Sequence, residues 1–348
     1  MAEIVMAVGT SHSPLLAIAP ETWPDRAKDD LRKTELFLAD GRVVSYDELN
    51  VEVGGRHADE ATTEHFVEQA ALAQAALDRL AAAIDEAELD ALIVIGDDQQ
   101  ELFSDAHTPA IAVYNGDEIV THPKNEVNPN LPAWYQEANR GYKMDTVHRY
   151  PGAPELANAL IDGFIENGVD TAVASEVADP YTLGFGHAYG FVIDRLVGER
   201  QIPILPIMLN TYFPPNVPRP ARCYDIGEII ARTIEALPTG QRVGVVASGG
   251  LTHFAVDEEL DRKVLDALVA KDVDTLKALP HLGLRSGNSE ILNWIMTAGA
   301  AKDLQADGYE YIPVRRTEAG TGIGMAFLIW QGANSVAPAR VTEGAASV

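Results

Sequence analysis

The chain has 348 residues, of which 26 are Lys or Arg and 52 are Asp or Glu, so its formal net charge is −26. This excess of acidic side chains argues against a nucleic-acid backbone or an anionic membrane surface as a partner. The single cysteine, Cys223, excludes an intramolecular disulfide framework and a zinc site with several cysteines. No apolar stretch approaches the ~20 residues of a membrane span, and no basic leader opens the chain. We therefore expect a globular cytoplasmic protein, in which a metal site would have to use His and carboxylates.

Strand-like and helix-like segments alternate along the chain, as is typical of α/β proteins. In chain order, the predicted strands cover residues 3–9, 89–96, 110–114, 171–177, 202–209, 242–248 and 324–330. The predicted helices cover residues 63–88, 154–167, 224–237, 257–268, 273–279 and 289–297.

No change in composition separates two cores, so we predict a single domain over residues 1–335, with a central mixed sheet flanked by helices. Residues 336–348 form a small-residue segment that we predict to be a disordered tail. Two long stretches without a clear pattern, residues 19–62 and 117–151, are typical of functional covers or mobile loops.

Polar loops follow several of the predicted strands, and in α/β proteins ligands gather at the carboxyl ends of strands. Three of these loops contain a histidine, namely His12, His187 and His253, and a cluster of acids lies at residues 257–261. Two His and one carboxylate can hold a mononuclear iron while leaving positions open for a substrate and dioxygen. A further His could then move protons. The pattern therefore favours a mononuclear metal site.

Each of these features also has a structural interpretation. A single His at a strand end often bonds only to backbone, and the Gly249-Gly250 pair could simply form a tight turn. The acids at residues 257–259 would complement the dipole at the start of a helix whatever the function. Asp97-Asp98 could likewise cap a helix. Only the convergence of several loops distinguishes the metal site from these alternatives.

Several short motifs, in their order along the chain, resemble the class III extradiol ring-cleavage dioxygenases, the group of the protocatechuate 4,5-dioxygenase β subunit. The resemblance extends from His12 to about Phe327. The motifs are GTSHSP (9–14), NTYFPP (210–215), RCY (222–224), SGGLTH (248–253), ELD (259–261) and SGNSE (286–290).

The resemblance implies an α/β fold with Fe(II) at one end of the sheet, Mn(II) and Zn(II) being the alternatives. It also assigns roles to individual residues. His12 matches the first iron ligand and Glu259 the carboxylate ligand, while His187 fits the acid–base histidine and His253 lies close to the site.

One position departs from the family pattern. The family places its second His ligand in an Asn-Asp-His motif, where this chain has Asp97-Asp98-Gln99, and an amide oxygen is a weaker iron ligand than imidazole. We predict His57, in the long segment 19–62, as the replacement ligand, with Asp98 and Glu101 as alternatives. Gln99, Thr252 and Arg222 are predicted to contact the substrate, and Arg285 is a further possible anchor for a carboxylate.

The leading functional hypothesis is an Fe(II)-dependent extradiol-type dioxygenase that cleaves a catechol-like aromatic ring with dioxygen, and homodimerisation is expected. One alternative is a divergent enzyme with another metal or with non-oxidative chemistry, such as decarboxylation or hydrolysis of an aromatic acid. The other is a metal-free relative that binds a ligand or a partner protein.

Overall fold

The computed structural model describes residues 1–332, without the side chain of Asp307, so the predicted tail at residues 336–348 lies outside the described part. The strands are β1 (Glu3–Thr10), β2 (Leu36–Phe37), β3 (Val43–Val44), β4 (Ala91–Asp97), β5 (Ile111–Tyr114), β6 (Glu118–Val120), β7 (Arg149–Pro151), β8 (Ala172–Ala174), β9 (Ile204–Leu209), β10 (Arg242–Ser248), β11 (Gln305–Arg315) and β12 (Gly322–Gln331).

The helices are α1 (Trp23–Asp30), α2 (Tyr46–Val53), α3 (Thr63–Glu86), α4 (Lys124–Val127), α5 (Ala133–Gly141), α6 (Pro154–Glu166), α7 (His187–Phe191), α8 (Pro220–Ala236), α9 (Glu258–Ala270), α10 (Val273–Lys277) and α11 (Ile291–Ala300). A π turn, Val192–Val197, continues α7, and a 3-10 turn, Ser286–Glu290, precedes α11. Within residues 1–332, no helix combines the length and the apolar character that a membrane crossing requires.

Eight strands form one mixed sheet in the order β11-β12-β1-β10-β4-β9-β5-β8, which confirms the predicted fold class. The central strands β1, β10, β4 and β9 are parallel, while β12 and β5 run antiparallel to β1 and β9. In the register of the parallel strands, Thr10 pairs with Ser248 and Ile95 pairs with Ala247. The carboxyl ends of β1, β10 and β4 therefore meet at one edge of the sheet.

The core lies on both faces of this sheet. Strand β4 is buried along its whole length, and its successive side chains belong to opposite layers: Ile93 and Ile95 pack under α6, α8, α9 and α11, whereas Leu92 and Val94 pack under α3 and α7. Such a continuous apolar strand is typical of a parallel sheet covered on both sides.

The segments without a clear sequence pattern contain short elements. Residues 19–62 form α1, α2 and the β2–β3 hairpin, and residues 117–151 form α4, α5 and the β6–β7 pair. The predicted strand at 171–177 is reduced to Ala172–Ala174, and β11 was not predicted at all. Both are edge strands of the sheet, where pairing on one side leaves a weaker apolar pattern.

Candidate active site

A cavity of about 380 Å³ opens at the edge where the parallel strands end. His12 follows β1, Asp97 is the last residue of β4, and His253 follows β10. The neighbouring loops add His187 at the start of α7 and Glu290 just before α11. This is the position at which α/β sheets bind ligands, because the loops that follow parallel strands converge there.

His12 is fixed in one orientation at the floor of the cavity. Its Nδ1 lies 3.0 Å from the Oγ of Ser248, and that hydroxyl donates to the carbonyl of Ala188 at 2.7 Å. Because the Ser248 proton is used, Nδ1 of His12 must be the donor, which leaves the lone pair on Nε2. Tyr142 also donates to the His12 carbonyl, at 2.7 Å. This arrangement, in which the other ring nitrogen is held by a second group, is typical of metal-binding histidines.

Two buried carboxylates flank Nε2 of His12. Oε2 of Glu290 lies 3.3 Å from it and Oδ1 of Asp97 lies 3.8 Å from it. Oδ1 of Asp97 has no hydrogen-bond partner among the described residues, whereas Oδ2 accepts from the Gln99 amide at 3.0 Å. Burial, together with the negative charge of Glu290, raises the pKa of Asp97 above its ordinary value. An unpartnered buried carboxylate oxygen is costly, so a cation at this point would stabilise the site.

The ring of His187 is held by the Glu101 carboxylate, on the side away from the cavity. Its Nδ1 donates to Glu101, at 2.9 and 3.0 Å from the two oxygens, and Lys124 completes the group at 3.1 Å from Glu101. Any side chain at Gly186 would overlap the Glu101 carboxylate, so the close approach requires glycine. Nε2 of His187 faces the cavity, 3.2 Å from the amide nitrogen of Gln99 and 3.8 Å from Asp97.

His187 and Glu101 each stabilise the charged form of the other, and Lys124 also stabilises the Glu101 carboxylate. Burial acts to lower the pKa of His187, but the adjacent Glu101 carboxylate outweighs it and raises the pKa to about 9. Burial acts in the opposite sense on Glu101, yet His187 and Lys124 hold the pKa of that carboxyl well below its ordinary range. His187 is therefore a strongly basic imidazole, with Nε2 as the atom that can exchange a proton in the cavity.

Glu290 connects the site to a third histidine. It accepts from the Tyr212 hydroxyl at 2.8 Å and from the Gly250 amide at 2.6 Å, and its Oε1 lies 3.3 Å from Nε2 of His253. Burial opposes ionisation here, but His253 and His12 hold the pKa of Glu290 well below its ordinary value. Glu290 is therefore a carboxylate at neutral pH despite its burial.

The opposite wall of the cavity is cationic. Arg26, Lys33 and Arg316 line it together with one acid, Asp29, and the buried Asp30 bonds to both arginines. Lys33 has no carboxylate within ion-pair distance in residues 1–332; its ammonium lies 4.3 Å from the centre of the Phe254 ring. This wall can therefore offer a positive charge to an anion.

Three of the predicted histidines, His12, His187 and His253, lie together in this cavity, and Gln99 lines it with them. Ligand atoms of His12, Asp97 and His187 lie within 4.8 Å of one another. Asp98 instead caps the following turn by accepting from the Leu102 and Phe103 amides at 2.7 and 3.2 Å. The cap interpretation therefore applies to Asp98, whereas Asp97 points into the site.

The structure does not bring the other predicted metal ligands to His12. His57 is bonded through Nδ1 to Glu60 at 2.7 Å, within a cluster that Arg315 ties to Glu258. Glu259 is exposed, because α9 turns Leu260 and the residues in phase with it towards the core. The carboxylates that lie beside Nε2 of His12 are those of Asp97 and Glu290, while His57 and Glu259 lie elsewhere.

Two residues predicted to contact the substrate also lie outside this cavity. Thr252 is fully buried, and both its amide and its hydroxyl donate to Asp261 at 2.8 Å, so its role here is structural. Arg222 is exposed on α8 and donates to the Gly168 carbonyl at 3.2 Å. Two of the cations that do reach the cavity, Arg26 and Lys33, belong to the segment around α1, in which the sequence showed no clear pattern.

Sequence reasoning assigned no role to Glu290 and Tyr212, although both lie in motifs that carry the family resemblance. The signal for Glu290 is an acid immediately before a helix, Ile291–Ala300, in which every residue is buried. A carboxylate beside so apolar a helix is buried with it, and buried carboxylates need partners.

Residues 60–322 match the family described as the catalytic LigB subunit of aromatic ring-opening dioxygenase. Over 103 residues the chain is 34% identical to the 2,3-dihydroxyphenylpropionate/2,3-dihydroxicinnamic acid 1,2-dioxygenase of Comamonas testosteroni, a match that covers 29% of this chain and 30% of that protein. Over 156 residues it is 28% identical to gallate dioxygenase of Pseudomonas putida, covering 41% of this chain and 43% of that protein. In both cases the match spans less than half the length of the relative.

Proposed function

The chain belongs to the family of catalytic LigB subunits of aromatic ring-opening dioxygenases, and we propose that it is a metal-dependent, extradiol-type dioxygenase. The metal would be Fe(II), with Mn(II) or Zn(II) as alternatives. The substrates would be dioxygen and a catechol-like aromatic compound that carries an acidic substituent.

One observation carries this proposal: two buried carboxylates flank the free Nε2 of His12, and one of their oxygens, Oδ1 of Asp97, has no hydrogen-bond partner among residues 1–332. Imidazole nitrogen and carboxylate oxygen are ligands that suit divalent iron, manganese and zinc. The residues present therefore fit a divalent metal ion.

We assign the metal to His12, Asp97 and Glu290. The alternative set would take His187 in place of Glu290. Glu290 is favoured because its Oε2 lies closer to Nε2 of His12, at 3.3 Å, while Nε2 of His187 is already within 3.2 Å of the Gln99 amide. This assignment also leaves one histidine free for proton transfer.

A divalent metal held by these residues would supply Lewis-acid activation of the catechol hydroxyl groups and would favour electron transfer from the ring to dioxygen. His187 can exchange a proton only at Nε2, since its Nδ1 is committed to Glu101. The positive charge of a bound divalent metal would lower the raised pKa of His187. The neutral ring would then take the phenolic proton at Nε2 and return it during ring opening. Lys124 and Glu101 would keep the imidazole in this orientation throughout.

The cationic wall suggests which substituent the ring carries. A chain with a net charge of −26 repels organic anions at long range, so local cations must provide their recognition. Lys33, Arg26 and Arg316 line the same cavity as the proposed metal ligands. A ring whose hydroxyl groups face His12 could therefore direct a carboxylate towards Lys33.

The proposal can be tested by loading the full-length protein anaerobically with Fe(II), Mn(II) or Zn(II), measuring the bound metal, and then recording oxygen uptake with a panel of catechols and catechol carboxylates. We expect one bound metal per chain and one dioxygen consumed per ring cleaved. Bound metal with release of carbon dioxide and no oxygen uptake would favour the non-oxidative alternative. Absence of metal binding would favour the metal-free relative. Gel filtration of the same preparation tests the expected homodimer.

A further inference from the structure

We propose that a second cavity, on the other side of Tyr212 from the candidate active site, binds an aromatic carboxylate. This cavity measures about 390 Å³, close to the 380 Å³ of the catalytic one. It lies between the loop that follows β9, the start of α8 and the loop that precedes α11. The inference does not depend on the ring-cleavage chemistry proposed above.

The walls of the second cavity are largely apolar and rigid. Four prolines, together with Phe37 and several aliphatic side chains, form most of the surface; the prolines are Pro214, Pro215, Pro218 and Pro220. Leu284 and Leu292 are buried at the inner side, whereas Leu282 at the mouth is 58% exposed. Proline and aromatic walls lose little conformational entropy when a flat ring binds, so such a cavity favours an aromatic body.

The charged groups that line the second cavity are positive. Among the described residues that line it there are two arginines, Arg219 and Arg285, and no Asp or Glu. Neither arginine has a carboxylate within ion-pair distance in residues 1–332, although acids outnumber bases two to one in the whole chain. The guanidinium of Arg285 lies over the Phe37 ring, 4.6 Å from its centre. A cation stacked on an aromatic ring beside an apolar cavity is well suited to pair with a carboxylate.

Two further features favour an anion at this point. Helix α8 begins at Pro220, in the cavity wall, and its 17 residues direct the positive end of the helix dipole towards the same space. At the inner wall, Thr211 is 2% exposed and its hydroxyl has no hydrogen-bond partner in the described part of the chain. Both features leave polar groups that a bound carboxylate, directly or through water, could satisfy.

Tyr212 links the two cavities. It lines both of them, and its hydroxyl donates to Glu290 at 2.8 Å, one of the proposed metal ligands. A ligand in the second cavity would therefore lie against the residue that positions Glu290. The site is distinct from the catalytic cavity but in direct contact with its wall.

The test is a calorimetric titration of the full-length protein with 2-naphthoate, and with the neutral 2-naphthamide as the matched ligand. We expect 2-naphthoate to bind and 2-naphthamide to bind at least about tenfold more weakly, the lower end of what a hydrogen bond to a charged group contributes. Inorganic phosphate at the same concentration should not compete. Competition by phosphate, or equal binding of the amide, would overturn the assignment to a carboxylate.

Substitutions in each cavity show which of the two cavities binds 2-naphthoate. Arg285→Gln should weaken 2-naphthoate binding about tenfold or more, and Val217→Trp, which fills the second cavity, should do so as well. Arg222→Gln, on the exposed side of α8, is the matched control and should leave binding unchanged. If binding survives both Arg285→Gln and Val217→Trp but is lost in Lys33→Met, the ligand occupies the catalytic cavity and the proposal is wrong. Anomalous density from 6-bromo-2-naphthoate in crystals should place the bromine beside Phe37, and a bromine found only beside His12 would contradict the proposal.

Discussion

Nε2 of His12 lies 3.3 Å from Oε2 of Glu290, although the two residues come from opposite ends of the chain. His12 lies just after β1 and Glu290 lies at the end of the 3-10 turn before α11, so the contact exists only in the folded protein. Asp97 approaches the same nitrogen from the end of β4. Three segments distant in sequence thus converge on one donor atom, and this convergence supports the proposed metal site.

The first prediction concerns Glu290. The variant Glu290→Gln should bind Fe(II) more than about 100-fold more weakly, since even groups that only orient a ligand contribute about 10- to 100-fold. The matched control is Glu259→Gln, because Glu259 is the carboxylate that the sequence predicts but it is exposed on α9. Metal binding by competition with a chromogenic chelator distinguishes the two variants. A larger loss in Glu259→Gln than in Glu290→Gln would contradict our assignment.

The second prediction concerns the orientation of His12. Ser248→Ala removes the acceptor of Nδ1, so the ring should lose its fixed tautomer and metal affinity should fall about 10- to 100-fold. Ser175→Ala, at an exposed position, is the control and should have no effect. Thermal unfolding checks that both variants fold. Unchanged metal affinity in Ser248→Ala would show that Ser248 does not orient the ligand.

The third prediction concerns the pKa of His187 in the metal-free protein. Glu101 raises it from the ordinary 6.5 to about 9, so Glu101→Gln should lower it, and NMR titration of the imidazole resonances measures the change. Because the raised pKa of His187 belongs to the folded state, its protonation contributes stability that is full below pH 6.5 and is lost as the pH rises through about 9. Unfolding midpoints should therefore fall over that range in the wild type and fall less in Glu101→Gln. Glu126→Gln, at an exposed position, should titrate and unfold like the wild type, and an unshifted His187 pKa in Glu101→Gln would refute the role of Glu101.

The fourth prediction concerns the cationic wall. Lys33→Met should raise KM for a catechol carboxylate about tenfold, because a charge-assisted hydrogen bond is lost, and should leave KM for unsubstituted catechol nearly unchanged. Lys28→Met provides the control, since Lys28 lies in α1, five residues before Lys33, but pairs with Asp25 in solvent. Equal effects of Lys33→Met on both substrates would mean that Lys33 does not recognise the carboxylate.

Much of the fold was predictable because the spacing of apolar residues along the sequence indicates which side chains are buried in a strand or a helix. The continuous run in β4 and the Ala-rich helix α3 needed only their own periodicity. Strand β11 was not predictable in the same way, since Gly308 and Pro313 interrupt it and β12 is its only partner among the strands of residues 1–332. Edge strands depend on their neighbour more than on their own sequence.

The same contrast applies to the site. His12 and His253 were predictable because they follow strands whose ends must meet. Glu290 was not, because a turn before a distant helix gives no local sign of where it packs. Glu259 was chosen from a motif, yet the phase of α9 buries Asp261 and exposes Glu259. On a helix, side chains two residues apart point to nearly opposite sides. Which of the two sides of α9 faces the core is set by tertiary packing.

The most direct test of the metal site is X-ray diffraction at the iron absorption edge from crystals loaded anaerobically with Fe(II). We predict one anomalous peak about 2 Å from Nε2 of His12 and from carboxylate oxygens of Asp97 and Glu290. A peak bound by His57 or Glu259, or no peak beside His12 at full iron loading, would contradict the account.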